Sequence, residues 1–208
     1  MPAPLDVSPL TLNRLSIYLR CLRQLLEQGT ARVSSQELAR LFHLSAAQIR
    51  KDLAQFGEFG IRGVGYDVGH LAERLHALLG LDRRHALIIV GMGNLGSALA
   101  RYLGFNLGSF EVVAGVDIDP RRVGTQVGHL TVRPSRELAQ LVRDLGVDIG
   151  VLTVPADAAH ENYQALVDAG VEAVLNFAPV RLEPHPKVRL KNVDLRINLE
   201  EIAYFLKE

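Results

Sequence analysis

The sequence predicts an α/β chain: an N-terminal winged helix-turn-helix domain, then a Rossmann-like doubly wound parallel-sheet domain, then a C-terminal helix. Three observations predict it. Ser34 and Ser45 each open a short amphipathic segment, one soon after the other. The apolar run Leu87–Val90 stops abruptly in Gly91-Met-Gly-Asn-Leu-Gly96. From there on, apolar strand patterns alternate with amphipathic helix patterns.

At 208 residues and 48% hydrophobic composition, the chain can bury substantial cores. Its formal net charge is zero, so the whole chain carries no electrostatic argument for nucleic acid. The charge is uneven along it, however: residues 1–86 hold 11 basic against 8 acidic side chains, leaving 12 against 15 for the rest. The basic excess thus lies on the N-terminal side. The one cysteine, Cys21, sits among Leu19, Leu22 and Leu25 and reads as a buried thiol in a reducing compartment. No apolar run approaches the roughly 18 residues of a membrane span, and the N-terminus lacks a signal-peptide pattern. A cytoplasmic protein with no membrane partner is expected.

The first element is a long amphipathic helix that Ser8-Pro9 start and Gly29 stops, with Leu12, Leu15, Tyr18, Leu19, Leu22, Leu25 and Leu26 at three- and four-residue spacing. Ser34 with Glu37, and Ser45 with Gln48, then fit the capping box of two further helices. Two capped helices a short turn apart are the arrangement of a helix-turn-helix, whose second helix enters the major groove with its N-terminal residues nearest the bases. On that helix Ala47, Gln48, Arg50 and Lys51 face outward. Gln48 and Arg50 suit base edges, Lys51 and the hydroxyls of Ser34 or Ser35 suit phosphates, and Ser45 at the helix start belongs to the same DNA-binding set. The glycine-rich, alternating run Gly57–Tyr66 reads as a β-hairpin wing with Arg62 and Gly63 at its tip, and an arginine there suits an A·T-rich minor groove. A helix over Val68–Leu79 closes at Gly80. Residues 1–80 form the DNA-binding domain, and 81–85 the linker.

In the next domain, 86–196, the glycine turn gathers backbone N–H groups and a helix N-terminus into one concavity, which favours a pyrophosphate. Gly91 permits the turn, Gly93 lets the phosphate approach, and Gly96 lets the helix pack on the strand; Met92, Asn94 and Leu95 fill the intervening positions. A second strand, Val112–Val116, delivers Asp117 at the distance at which an acidic residue meets the adenine ribose, which favours NAD over NADP. Arg121 and Arg122 lie near enough to meet a phosphate, and also read as the solvated start of the next loop. A strand around Leu130–Val132, a helix over Arg136–Leu145, a strand over Ile149–Val154, a helix over Ala156–Ala169 and a strand over Ala173–Phe177 follow. Val154, Pro155, Asn176, Phe177, Ala178 and Pro179 then sit at strand ends, where such sheets bind ligands, as candidate walls for the nicotinamide and its ribose. Val188–Leu195 reads as the last strand. Residues 197–208 hold a short helix, Leu199–Leu206, whose apolar residues cover much of its circumference and need a partner surface.

These motifs together resemble the Rex family of redox-sensing transcriptional repressors over nearly the whole chain. The resemblance is carried by Gln48-Ile-Arg-Lys-Asp-Leu53 with Phe56-Gly57, Arg62-Gly-Val-Gly-Tyr66, Val90-Gly-Met-Gly-Asn-Leu-Gly96, Val116-Asp-Ile-Asp-Pro120, Leu152-Thr-Val-Pro155 and Leu175-Asn-Phe-Ala-Pro179. It implies a homodimer that binds a pseudo-palindromic DNA operator as apoprotein or with NAD⁺ and releases it with NADH. It further implies C-terminal helices exchanged between subunits, and a switch set of Arg14, Tyr102 and Asp194 that NADH breaks by drawing Tyr102 away. Without it, Tyr102 reads as a partly buried helix aromatic, and Arg14 and Asp194 as surface charges.

Two other functions fit parts of the pattern. An NAD-dependent oxidoreductase needs a proton donor near the nicotinamide, yet neither His129 nor His160 falls at an evident strand end, and no substrate domain follows the sheet. A nucleotide-binding module, such as one for coenzyme A, shares the sheet but has no use for Asp117 or the winged helix. No catalytic residue and no metal site is expected.

Overall fold

A computed structural model describes residues 7–61, 63–106 and 108–206. The chain divides into two compact units, Met1–Arg83 and Arg84–Glu208.

The first unit opens with α1 (Pro9–Glu27), capped by the Ser8 hydroxyl on the N–H of Thr11. After β1 (Arg32–Val33), the helices α2 (Ser35–Phe42) and α3 (Ala46–Ala54) are capped by Ser34 and Ser45, which accept from the N–H groups of Glu37 and Gln48. The left-handed His43 breaks the chain between them. β2 (Gly60–Ile61), β3 (Gly65–Asp67) and α4 (Val68–Leu78) complete the unit. The wing is a three-stranded antiparallel sheet in the order β1-β3-β2. The expected hairpin supplies only two of its strands. Leu15, Leu19 and Leu22 of α1, Leu38 of α2, Ile49 and Leu53 of α3, and Leu71 and Leu75 of α4 meet in one core. The wing-tip Arg62 lies outside the described residues.

The second unit runs β4 (His85–Val90), α5 (Asn94–Arg101), β5 (Phe110–Asp117), a separate small hairpin of β6 (Gln126–Val127) and β7 (Leu130–Thr131), β8 (Arg133–Pro134), α6 (Leu138–Asp144), β9 (Ile149–Leu152), α7 (Ala156–Ala169), β10 (Ala173–Asn176), β11 (Arg189–Asn192) and α8 (Leu195–Phe205). Six strands form one parallel sheet in the order β11-β10-β9-β4-β5-β8. Strand side chains alternate between two faces. Ile88 and Val90 accordingly join Val116, Leu138, Val142 and Leu166 in one core, while Leu87 and Ile89 join Val112, Ala100 and Val151 in the other.

Four sequence expectations shift. The linker ends before His85, which already pairs with Phe110 as part of β4. The expected strand around Leu130–Val132 belongs to the small hairpin, and Arg133–Pro134 is the true edge of the main sheet. The helix expected at 136–145 begins as a 3₁₀ turn, Ser135–Glu137. The last strand stops at Asn192, and the terminal helix starts at Leu195 because the Asp194 carboxylate caps it, accepting from the Arg196 N–H at 2.9 Å.

Candidate functional site

The first surface is built on α3. Ala47, Arg50 and Lys51 are exposed on it, Ser45 is exposed at its cap, and Gln48 is half-buried. Ser34, Ser35, Arg50 and Gly63 border one depression of about 780 Å³ between the helix-turn-helix and the wing. There Arg50 donates to the Ser35 hydroxyl at 2.9 Å, so a cation and a hydroxyl share a place suited to a phosphate. Ser45, Ala47, Gln48 and Lys51 lie outside that depression.

Beneath α3 lies a group that sequence reasoning missed. Asp52 is 0% exposed, and its carboxylate takes four hydrogen bonds. Oδ2 accepts from Arg14 Nε at 2.6 Å and the Tyr18 hydroxyl at 2.8 Å; Oδ1 accepts from an Arg14 terminal nitrogen at 2.8 Å and Gln48 Nε2 at 2.7 Å. The Arg14 hydrogen bonds hold the Asp52 carboxyl below the usual carboxylate range, and burial pushes the Tyr18 hydroxyl up. Arg14 is therefore not a free surface charge. The Gln48 side chain turns its Nε2 to Asp52 instead of closing a capping box on the Ser45 N–H.

The second site lies at the topological switch point. From β4 the chain winds outward through β5 to β8, then returns to lay β9 on the other side of β4. The connections that leave the carboxyl ends of β4 and β9 therefore run to opposite faces of the sheet and open a crevice. A cavity of about 500 Å³ occupies it. Gly91, Gly93, Leu95, Asp117, Val154, Pro155, Phe177 and Pro179 line it, together with Arg122, which the sequence offered for a phosphate, and with Asp119, Ser135, Thr153 and the α7 residue Asn162, which the sequence did not single out. The N-termini of α5 and α7 both border the crevice, which favours an anion.

Two glycines make the turn possible. Gly91 holds φ +94°, a region that side chains disfavour. At Gly96 a Cβ would sit 2.0 Å from the Gly91 carbonyl oxygen. The Thr153 hydroxyl donates to that same carbonyl at 2.6 Å, and its N–H donates to the Val90 carbonyl at 2.9 Å, tying the ends of β4 and β9 together.

Several candidates lie off the lining. The Met92 side chain is buried in the core, and its N–H donates to Asp117 Oδ2 at 2.7 Å. Asn94 opens α5, and Gly96 packs beneath the turn. Asn176 is 0% exposed and is a strut: its Nδ2 donates to the Val180 carbonyl at 2.8 Å and to Asn192 Oδ1 at 2.9 Å, while its Oδ1 accepts from the N–H of Ala178, itself buried. That bracing shapes the loop carrying Phe177 and Pro179. Asp117 does line the cavity, yet each oxygen already accepts a backbone N–H, from Met92 and Asp119. A ribose would have to use the remaining lone pairs.

Arg121 turns away onto Asp119, whose carboxyl it holds down at about 2. Arg122 instead reaches over the turn: one guanidinium nitrogen lies 3.4 Å from Asp117 and 2.8 Å from where a Gly93 Cβ would stand. It is the cation placed to meet a phosphate. Neither His129, whose Nε2 bonds the Val112 carbonyl, nor His160 lines the cavity. Tyr102 caps the end of α5, 58% exposed, with its ring edge-on to Phe105.

Comparison with known proteins follows the same division. A family model described as the N-terminus of putative DNA-binding proteins matches residues 6–54, and a CoA binding domain model matches residues 82–180. The chain is 48% identical to the redox-sensing transcriptional repressor Rex of Syntrophomonas wolfei, over 94% of this chain and 93% of that one. It is 43% identical to the Rex of Syntrophobacter fumaroxidans over 94% of each. Among solved structures, RSP in complex with β-NAD⁺ and operator DNA superposes with a TM-score of 0.91 at 38% identity, covering 96% of this chain and 92% of that one. RSP in complex with β-NADH gives 0.87 at 36% identity, covering 97% and 94%.

Proposed function

The chain belongs to the Rex family of redox-sensing transcriptional repressors, and on that premise we propose that it binds a pseudo-palindromic operator as apoprotein or with NAD⁺ and leaves it when NADH binds. The observation that carries the reading is the presence, in one chain, of a capped helix-turn-helix with a wing and of a glycine-turn cavity at a sheet's switch point. The protein is a repressor and not an enzyme. Its ligands are NADH and NAD⁺, and its sensed quantity is their ratio.

The site assignments follow. Ser34, Ser35, Ser45, Arg50, Lys51 and the wing hold the DNA backbone, and Ala47 and Gln48 approach the bases. The turn at Gly91–Gly96, with Arg122, takes the diphosphate, Asp117 the adenosine ribose, and Val154, Pro155, Phe177 and Pro179 the nicotinamide half. Arg14, Tyr102 and Asp194 form the switch. Among the described residues no helix is long and apolar enough to cross a membrane, and the protein works in the cytoplasm beside its operator.

A ligand shifts such an equilibrium only by its differential affinity for the two states. Coupling of roughly 1–3 kcal/mol between sites changes affinity about 5- to 150-fold. The test is a duplex selected from a random pool at fixed salt, then titrated with NADH, NAD⁺ and NADPH. NADH is expected to weaken the complex within that range. Indifference of the complex to NADH overturns the reading.

The protein acts as a homodimer. Leu195, Ile197, Leu199, Ile202, Tyr204 and Phe205 of α8 are each more than half exposed, a run that a second copy would cover. Removal of residues 195–208 is expected to turn a dimer into a monomer in sedimentation equilibrium. An unchanged mass would place the dimer contact elsewhere.

A further inference from the structure

We propose that Asp52 is a positioning residue for DNA reading: its buried carboxylate fixes which way the Gln48 amide faces, and so which base pair Gln48 accepts. The proposal rests on the reading of α3 as the helix that approaches the bases.

Gln48 stands at the third position of α3, in the turn that a helix-turn-helix brings nearest the major groove. Asp52 lies four residues on, one turn below it on the same face. The bond between them, Gln48 Nε2 to Asp52 Oδ1, is 2.7 Å long. An ionised carboxylate only accepts hydrogen bonds, so it must face the amide nitrogen and not the amide oxygen. The flip of Gln48 is thereby decided by chemistry. One Nε2 hydrogen and Oε1 remain, side by side, for an outside partner. A donor beside an acceptor is the pattern that complements N7 and the N6 amino group of adenine.

The carboxylate is itself held in place. Arg14 grips both of its oxygens, and the Tyr18 hydroxyl fixes one, so α1 anchors the group that orients a side chain of α3. A carboxylate buried in full against a part-exposed arginine is a costly way merely to fasten two helices, because apolar side chains of similar volume hold them without desolvating charge. Orientation of a polar neighbour is what a charged group supplies and an apolar one does not.

The experiment uses the full chain and the best duplex selected by the wild type, with every base pair of the site substituted in turn at fixed salt. Gln48→Ala is expected to lose discrimination at one base pair of each half-site; a good bidentate contact discriminates about 5- to 150-fold. Asp52→Asn keeps the shape but presents either an oxygen or a nitrogen to Gln48, so it is expected to lose discrimination at that same pair. Preferences elsewhere in the site, and affinity for unrelated duplex, stay within about twofold. The double variant loses no more than either single one, as two groups acting as a unit require. A purely structural role for Asp52 would instead weaken binding to all duplexes alike. Full discrimination in Asp52→Asn at the pair that Gln48→Ala affects overturns the proposal alone; no change of preference in Gln48→Ala overturns the reading of α3 with it. Should Asp52→Asn fold poorly, the wild-type protein decides the matter by NMR. Gln48 side-chain amide hydrogens protected from exchange support the proposal, and exchange as rapid as that of an exposed glutamine overturns it.

Discussion

Gly96→Ala is expected to lower the stability of the C-terminal unit by about 3 kcal/mol, the upper end of overpacking effects, and to weaken NADH binding by roughly two orders of magnitude. The added Cβ would meet the Gly91 carbonyl oxygen at 2.0 Å and the Thr153 hydroxyl at 2.8 Å. Backbone cannot swing aside as a flexible side chain does, and that carbonyl is already pinned by Thr153. The start of α5 must therefore move away from β4, taking with it the N–H groups that would meet the diphosphate. Urea unfolding and NADH fluorescence titration measure the two effects. Wild-type NADH affinity in Gly96→Ala would show that the turn is not the phosphate seat.

Asp52→Ala is expected to destabilise the N-terminal unit by about 3 kcal/mol, the low end for breaking a buried charge pair from one side, because the Arg14 side chain is 30% exposed and water can reach it. It strands the Tyr18 hydroxyl, on a side chain 1% exposed, and leaves Arg14 without its acceptor. A pH dependence accompanies it. The folded state holds the Asp52 carboxyl below its ordinary value, first through the Arg14 hydrogen bonds, so the folded state favours the ionised form. The resulting stability is present in full above the unfolded pKa of about 3.9 and is lost as pH falls through the lower folded value. Urea midpoints between pH 7 and pH 3 should fall more steeply in the wild type than in Asp52→Ala. Parallel curves would remove Asp52 from the acid response.

The elements with strong local signals were legible in the sequence. Ser8, Ser34 and Ser45 cap their helices, and Gly170, at φ +98°, closes α7. The turn at Gly91–Gly96 combines a strand, a helix start and a required close approach, all local. What escaped depends on distant partners. β1 has two residues, too few to show alternation, and exists because it pairs with β3 more than thirty residues later. Asp52 has no role that its neighbours in sequence show, because Arg14 and Tyr18 reach it from α1, 38 and 34 residues earlier. Asn176 reads as a ligand contact because it ends a strand, yet Asn192, from the neighbouring β11, draws it inward. Leu195 reads as the end of the last strand, yet Asp194 caps a helix that already includes it.

The bond from Thr153 to the Gly91 carbonyl makes the end of β4, the glycine turn and the start of the loop after β9 one rigid frame. A diphosphate seated in that frame, as proposed, would gain the same free energy whether the ring at the far end of the molecule is oxidised or reduced. Such affinity is a common-mode signal: it raises occupancy by both ligands and cancels from the difference between them. A rigid seat therefore lets the protein hold its ligands at low concentration without blurring their ratio. On that assignment the burden of telling one from the other falls on the opposite wall, where one added hydride and one lost positive charge must be translated into a change of shape.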